Sequence, residues 1–116
     1  TDSFIHRQSG AQEVIISSSK RWAKIEERTN KKERSLKYLI KKIERSDILL
    51  IEGFKKDNHK KIEIYRKVDT NNKPLYTKLK NVVAIVTNDK ISTKLPIFKL
   101  EEIEKIARFI LNNCKK

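Results

Sequence analysis

Apolar runs and regularly spaced apolar positions divide the chain into segments of predicted strand and helix. Residues 48–51 (ILLI) and 82–86 (VVAIV) are short, unbroken apolar runs bounded by polar residues. Such runs are typical of strands that are buried on both faces of a parallel sheet. Residues 61–66 (KIEIYR) alternate polar and apolar side chains, which predicts a strand with one face in solvent.

Helical spacing appears in other parts of the chain. Apolar residues recur at intervals of three and four over residues 31–45 and 100–111, which predicts two amphipathic helices. Residues 2–12 begin with capping-type side chains and predict a short helix closed by Gly10. Residues 13–17 and 95–100 are predicted strands, the second an edge strand because it contains Pro96, and 69–74 a loop. Residues 21–27 suit a strand or one helical turn, and we assign them to a strand. Strands that alternate with helices predict an α/β fold with a largely parallel central sheet.

Glu52, directly after the apolar run 48–51, is the first candidate functional residue. Open α/β sheets bind ligands at the carboxyl ends of their strands, and Gly53 allows the backbone to turn sharply there. In P-loop hydrolases an acid at this position holds Mg²⁺ through a water or orients the attacking water. A core strand whose terminal acid merely faces solvent would show the same pattern.

Asn88 and Asp89 follow the second buried run and are the next candidates. A carboxylate in a loop after a late strand can accept hydrogen bonds from both the ring N–H and the exocyclic amine of guanine, which adenine cannot offer. An ordinary turn would contain the same residue types. The pattern alone leaves both interpretations open.

Charge and composition narrow the function classes. The chain carries 28 Lys and Arg against 15 acids, a net charge of +13, but the lysines are spread over its whole length among the acids and few aromatic residues. This spread argues against a specific nucleic-acid site, although a lysine-rich nucleic-acid-binding domain is kept as an alternative. The single cysteine, Cys114, cannot form an internal disulfide, which predicts a reducing, cytoplasmic location. No apolar run is long enough to predict a membrane span.

Several familiar motifs cannot be formed. The only glycines are Gly10 and Gly53, so the chain contains neither a P-loop nor a dinucleotide-binding glycine motif. His6 and His59 are the only histidines, and no recognisable nucleophile motif accompanies them. The chain starts with Thr1 and contains no Met. We therefore expect a preceding segment to hold any phosphate-binding loop.

The order of the segments resembles that of the MobB family, the molybdopterin-guanine dinucleotide biosynthesis adaptor proteins. The resemblance covers nearly the whole chain, and EGFK (52–55) and RWA (21–23) are its more specific segments. The supporting segments are DS (2–3), GA (10–11), KIE (61–63) and the loop at 88–89. The chain departs from the family pattern at Thr1, where the family has Lys, and at Asn88, where it often has Ser.

The resemblance implies a GTP-binding protein with a P-loop NTPase-like, three-layer α/β fold. It implies that residues 1–116 are the C-terminal part of a single GTP-binding domain, with a Walker B-like strand at 47–53 and without the N-terminal βαβ unit. Such a protein would be a homodimer with weak GTPase activity that helps a molybdenum cofactor guanylyltransferase attach GMP to molybdopterin. We expect this chain alone neither to bind GTP tightly nor to hydrolyse it.

The resemblance also implies roles for individual residues. Glu52 would be the catalytic acid near Mg²⁺ and the γ-phosphate, and Asp2 would be a second metal contact. The implied nucleotide contacts are Asp2, Ser3, Lys55, Asn88 and Asp89, with Asp89 on the guanine base. Another metal-cofactor GTPase of similar fold would keep the roles of Glu52 and Asp89 and change the acceptor.

Overall fold

A computed structural model describes residues 2–29, 32–69 and 71–114 and divides the chain into two compact units, Thr1–Lys42 and Ile43–Lys116. The first unit contains α1 (Asp2–Gln8), β1 (Glu13–Ser17), β2 (Trp22–Glu26) and α2 (Leu36–Ile40). The second contains β3 (Lys61–Ile64), β4 (Val82–Val86), β5 (Ile97–Phe98) and α3 (Ile103–Asn113).

The first unit is built on an antiparallel hairpin. Strands β1 and β2 pair from Glu13 opposite Glu26 to Ser17 opposite Trp22, which confirms both strand predictions. The connecting turn is closed by Ser18, whose N–H donates to the carbonyl of Arg21 at 2.8 Å and whose hydroxyl donates to the same carbonyl at 3.1 Å. A short polar turn therefore sets the register of the hairpin.

Helix α1 ends as its glycine predicts. Gly10 has a φ of +101°, a backbone conformation that glycine adopts without strain. The N–H of Gly10 donates to the carbonyl of Arg7, and that of Ala11 donates to the carbonyl of His6, both at 3.1 Å. These two bonds form a Schellman motif, which satisfies the last carbonyls of the helix.

Helix α2 is much shorter than residues 31–45, the range that its apolar spacing predicts. It begins after Ser35, whose hydroxyl accepts a hydrogen bond from the N–H of Tyr38 at 3.1 Å, and it ends at Ile40. Lys31 lies outside the described residues. A stripe of apolar residues supports a helix only where it is covered, and no residue of α2 is fully buried.

The second unit contains the parallel sheet, in the order β3-β4-β5. Central strand β4 pairs in parallel with both neighbours, and Ala84 and Ile85 within it are 0% exposed. This confirms the predicted parallel sheet and buried strand, and β5 lies at the edge as predicted, although it is shorter than the predicted 95–100 and begins after Pro96. The connections between the parallel strands are loops and turns in the part of the chain that the structure describes, as predicted for residues 69–74.

The two faces of this sheet are covered by different elements. Phe98 meets Phe109 of α3 edge to face, with ring centroids 5.3 Å apart, as expected for a closing helix on the sheet. The loop after β3 covers the side that carries Glu63 and Tyr65: the Tyr65 hydroxyl donates to the carbonyl of Asn72 at 2.6 Å. Tyr65 is consequently buried, whereas Ile64 is 74% exposed. The strand predicted over 61–66 is present as Lys61–Ile64, and the loop after β3 covers the side that carries Glu63 and Tyr65.

The strand predicted at 47–53 is absent. These residues follow an irregular path in the structure, and Leu50 is 78% exposed. A strand is held by hydrogen bonds to a neighbouring strand, and β3, β4 and β5 pair only with one another. An apolar run without a pairing partner does not form a strand.

Candidate functional site

The carboxyl edge of the parallel sheet brings three strand ends together at residues 87–89. The N–H of Tyr65 donates to the carbonyl of Val86 at 2.9 Å, and the N–H of Thr87 donates to the carbonyl of Phe98 at 2.8 Å. The backbone pairing thus continues one step beyond each strand. The turn that follows β4 lies between the ends of β3 and β5, where open α/β sheets bind their ligands.

Side chains of this turn extend the pairing on both sides. A carboxylate oxygen of Asp89, Oδ2, accepts a hydrogen bond from the N–H of Lys67 at 2.7 Å. The amide oxygen of Asn88 accepts one from the N–H of Leu100 at 2.9 Å. Asp89 therefore ties the turn to the chain after β3, and Asn88 ties it to the chain after β5. We call residues 87–89 with these two bonds the strand-end clamp.

Thr87 is the part of the strand-end clamp that the sequence did not single out. It is 2% exposed, and its hydroxyl oxygen accepts a hydrogen bond from the N–H of Asp89 at 3.0 Å. A buried hydroxyl requires such a partner. The only feature of the sequence that could have indicated this role of Thr87 is a hydroxyl residue between an apolar run and an acid, a pattern that also occurs in many ordinary turns.

The strand-end clamp uses only part of the hydrogen-bonding capacity of Asp89. An ionised carboxylate has about four acceptor positions. Of these, Lys67 occupies one on Oδ2, and Oδ1 accepts no hydrogen bond from any residue within the described ranges. Asp89 is half-buried, so it is accessible from outside while its position is fixed. It can accept further N–H donors from a ligand without losing its structural bond.

Glu52 and Lys55 lie on an exposed turn of the same unit. Gly53 has a φ of +88° and Phe54 a φ of +51°, so the chain reverses sharply after Glu52, as predicted for Gly53. Both side chains are exposed. Within the described residues, no hydrogen bond or ion pair joins Glu52 or Lys55 to Asn88 or Asp89. The structure thus groups Asn88 with Asp89 in one turn, and within the described residues no bond connects that turn to Glu52 or Lys55.

Asp2 and Ser3 start helix α1 in the first unit. Their side chains lie outside the part of the chain that the structure describes, so their predicted nucleotide and metal contacts stay predictions. No group of three or more His, Cys, Asp or Glu side chains among the described residues could hold a metal ion. The predicted metal contact of Glu52 also stays a prediction.

The amino edge of the sheet contains a lysine whose role the sequence did not predict. The ammonium group of Lys61 donates to the carbonyls of His59 and Lys80, each at 3.0 Å, and to that of Asp57. Three N–H bonds satisfy the whole donor capacity of an ammonium group. Lys61 therefore joins the loop before β3 to the loop before β4, and it is not available to a ligand.

The first unit carries a cluster of charges around Glu26. Its carboxylate accepts hydrogen bonds from Arg34 at 3.1 Å and from Arg28 at 3.2 Å. Hydrogen bonding to Arg34, opposed by partial desolvation and reinforced by Arg28, lowers the pKa of Glu26 below its ordinary value. The guanidinium of Arg34 also lies 4.3 Å from the ring centre of Tyr38, which adds a cation–π contact. These contacts connect β2 to α2 within the unit.

Along the described ranges 2–29, 32–69 and 71–114, no helix combines the length and the apolar character that crossing a bilayer requires.

The parallel sheet with acceptor side chains at its carboxyl edge defines a mixed α/β protein of the kind that binds ligands beyond its strand ends. The chain belongs to the MobB family: the family model described as molybdopterin guanine dinucleotide synthesis protein B matches residues 1–88. This confirms the resemblance read from the sequence, and the family has a P-loop NTPase-like fold.

Two relatives are both named molybdopterin-guanine dinucleotide biosynthesis adapter protein. The relative from Escherichia coli (strain K12) is 26% identical over 117 residues, which cover 99% of this chain and 67% of the relative. The relative from Haemophilus influenzae (strain ATCC 51907 / DSM 11121 / KW20 / Rd) is 34% identical over 113 residues, which cover 96% of this chain and 61% of the relative. The chain therefore spans roughly two thirds of the length of these relatives.

Proposed function

We propose that this chain acts in molybdenum cofactor biosynthesis as part of a GTP-binding adaptor that assists the attachment of GMP to molybdopterin. The observation that carries the proposal is the family match over residues 1–88, together with the two relatives named as adapter proteins. The partners in this proposal are a molybdenum cofactor guanylyltransferase and molybdopterin, and the assembly is a homodimer in the cytoplasm.

The described residues suit the base of a guanine nucleotide better than its phosphates. Asp89 has acceptor capacity left at the carboxyl edge of the sheet, and guanine presents two neighbouring N–H donors. The chain alone does not hold the triphosphate and Mg²⁺, because two distant glycines cannot form a phosphate-binding loop and the described residues offer no group of metal ligands. We therefore expect no GTP hydrolysis by this chain alone.

Residues on each side of the nucleotide have separate proposed roles. Asp89 accepts the guanine N–H groups, and Asn88 supports it from the same turn. Glu52, Lys55, Asp2 and Ser3 belong to the phosphate and Mg²⁺ side in this proposal. The exposed position of Glu52 and Lys55 is compatible with a ligand or a further segment of protein at that turn.

The direct test is synthesis of the dinucleotide cofactor. A guanylyltransferase is incubated with molybdopterin, Mg²⁺ and GTP, with and without the longer protein that contains this chain, and molybdopterin-guanine dinucleotide is measured by chromatography. We expect a higher yield when the protein is present. An unchanged yield over a range of protein concentrations would contradict the proposal. A steep linear fall of polynucleotide affinity with log salt, without an effect on the yield, would favour the nucleic-acid alternative instead.

Two substitutions in that longer protein separate the proposed roles. Asp89→Asn replaces one acceptor oxygen by a donor and should weaken the preference for GTP over ATP, measured by competition binding. Glu52→Gln should lower GTP hydrolysis more than GTP binding, and Glu44→Gln, on an exposed residue of the same unit, is its control. An unaltered nucleotide preference in Asp89→Asn would contradict the role of Asp89. An unaltered rate of GTP hydrolysis in Glu52→Gln would contradict that of Glu52.

A further inference from the structure

A cavity of about 680 Å³ opens at the amino edge of the parallel sheet, within the unit Ile43–Lys116. Two stretches form its walls: residues 76–82, which lead into β4, and residues 92–95, which lead into β5. The strand-end clamp lies at the other end of β4, so the cavity is separate from the proposed nucleotide site. Its volume falls within the range of about 300–1,000 Å³ that is usual for small-molecule sites.

The cavity has an apolar part. Leu79, Val82 and Leu95 line it, and each of these side chains is half-buried. Tyr76 also lines it, and its hydroxyl donates to the carbonyl of Ser92 at 3.3 Å, which links the two walls. A compact apolar or aromatic group would remove these side chains from water and gain the usual free energy of apolar burial.

The second wall supplies polar groups. Ser92, Thr93 and Lys94 are consecutive residues that all line the cavity. The Thr93 hydroxyl oxygen accepts a hydrogen bond from the N–H of Leu95 at 3.2 Å, so its hydrogen is available to another acceptor. The Lys94 side chain is exposed and forms no ion pair with any of the residues described by the structure. Two hydroxyls and an ammonium group together favour an anion.

The charge of the walls supports the same class of ligand. The sequence contains no Asp or Glu between residues 70 and 88 or between residues 90 and 100. The segments that form both walls therefore contain no acid, and Lys94 is the one charged side chain among the described residues that line the cavity. A cleft lined by charges of one sign attracts ligands of the opposite sign.

We propose that this cavity binds a small organic phosphate. The phosphate group contacts Lys94 and the hydroxyls of Ser92 and Thr93, and a compact flat apolar body lies against Leu79 and Val82. Residues 92–95 follow the end of the family match at residue 88, and the site does not use the strand-end clamp. The proposal therefore goes beyond the proposed function and can fail or hold independently of it.

The test uses the 116-residue chain and phenyl phosphate as the probe. Amide chemical shifts are followed by NMR during titration with phenyl phosphate, inorganic phosphate or phenol. We expect saturable shifts for residues 76–82 and 92–95 with phenyl phosphate, and affinities at least about tenfold weaker for the other two probes, because each makes only part of the contacts.

A pair of lysine variants tests the assigned contact. Lys94→Gln should weaken phenyl phosphate binding about tenfold, since it removes one charge-assisted hydrogen bond. Lys90→Gln removes the same charge from the same loop but does not line the cavity, so its effect should be less than about twofold. Both residues are exposed, and neither change should disturb folding.

Four results would overturn the proposal. The first is a set of shifts spread over lysines in both units without saturation, which indicates nonspecific attraction to a basic protein. The second is an equal loss of affinity in the two variants. The third is equal binding of phenol and phenyl phosphate, which leaves no role for the phosphate. The fourth is equal binding of inorganic phosphate and phenyl phosphate, which leaves no role for the apolar part of the cavity.

Discussion

The hydrogen bond from the N–H of Lys67 to Asp89 predicts that the Asp89 side chain stabilises the sheet, apart from any role in binding a ligand. Asp89→Ala removes the carboxylate acceptor and leaves the N–H of Lys67 without it. Asp89→Asn keeps an amide oxygen that can occupy the same position. We expect Asp89→Ala to destabilise the parallel sheet clearly and Asp89→Asn to destabilise it only slightly.

The size of the effect follows from the geometry of this bond. The N···O distance of 2.7 Å lies at the short end of the range for hydrogen bonds to a charged acceptor. Such bonds contribute about 1.5–3 kcal/mol. Asp89 is only half-buried, so in Asp89→Ala water can partly replace the carboxylate as the acceptor for the Lys67 N–H. We therefore expect the loss of stability to be at the lower limit of this range, about 1.5 kcal/mol. That loss corresponds to roughly a tenfold change in an equilibrium constant.

Native-state hydrogen exchange measures this loss at the residue concerned. The protection of the Lys67 amide should fall about tenfold in Asp89→Ala and much less in Asp89→Asn. Asp47→Ala, on an exposed acid outside the sheet, is the control and should leave protection unchanged. Equal protection in Asp89→Ala and the unsubstituted chain would show that this bond does not stabilise the end of β3. Asp89 would then have no structural role in the strand-end clamp.

Three further predictions concern stability. Lys61→Met leaves the carbonyls of His59 and Lys80 without their donor and should lower the free energy of unfolding by about 1–3 kcal/mol. Urea titration measures this change, and an unchanged free energy of unfolding would mean that water replaces the ammonium group. Ile85→Ala, at a residue that is 0% exposed, should cost about 2–5 kcal/mol, whereas Leu50→Ala, at one that is 78% exposed, should cost almost nothing. Similar values for the two would contradict the assigned core. Arg34 lowers the pKa of Glu26, so the Glu26 contribution to stability is complete above its ordinary pKa of 4.5 and is lost as the pH falls through the lower folded value. An NMR titration should show this lowered pKa, and Arg34→Gln should move it back toward 4.5.

The sequence predicted a strand correctly where the strand that pairs with it is close in the chain, or where the segment is apolar enough to be buried in any surroundings. The two strands of the hairpin are neighbours in the chain, and Val82–Val86 is apolar enough to require burial whatever surrounds it. The segment 47–53 has an equally apolar pattern but no strand beside it, and it stays irregular. Strand propensity describes how well a residue fits a sheet and does not supply the neighbouring strand.

The same limit applies to the candidate site. An acid after a buried strand was enough to single out Asp89, because turn position and residue type are local properties. Its bond to Lys67 joins residues 22 positions apart, and that between Asn88 and Leu100 joins residues 12 apart. The contact of Glu63 is of the same kind, since the N–H of Leu75 that donates to its carboxylate at 2.7 Å belongs to a loop 12 residues away. Contacts over such separations depend on topology, which periodicity does not specify.

At residues 87–89, selection for ligand preference and selection for stability act on the same side chains. Most substitutions of Asp89 that alter which donors the turn can accept also release the chain segment after β3, because one side chain carries both the free acceptor oxygen and the oxygen bonded to Lys67; Asp89→Asn, which keeps one oxygen, is the exception. Variants with a new ligand preference would therefore arise mainly in lineages that have already gained stability elsewhere, for example in the core beneath β4.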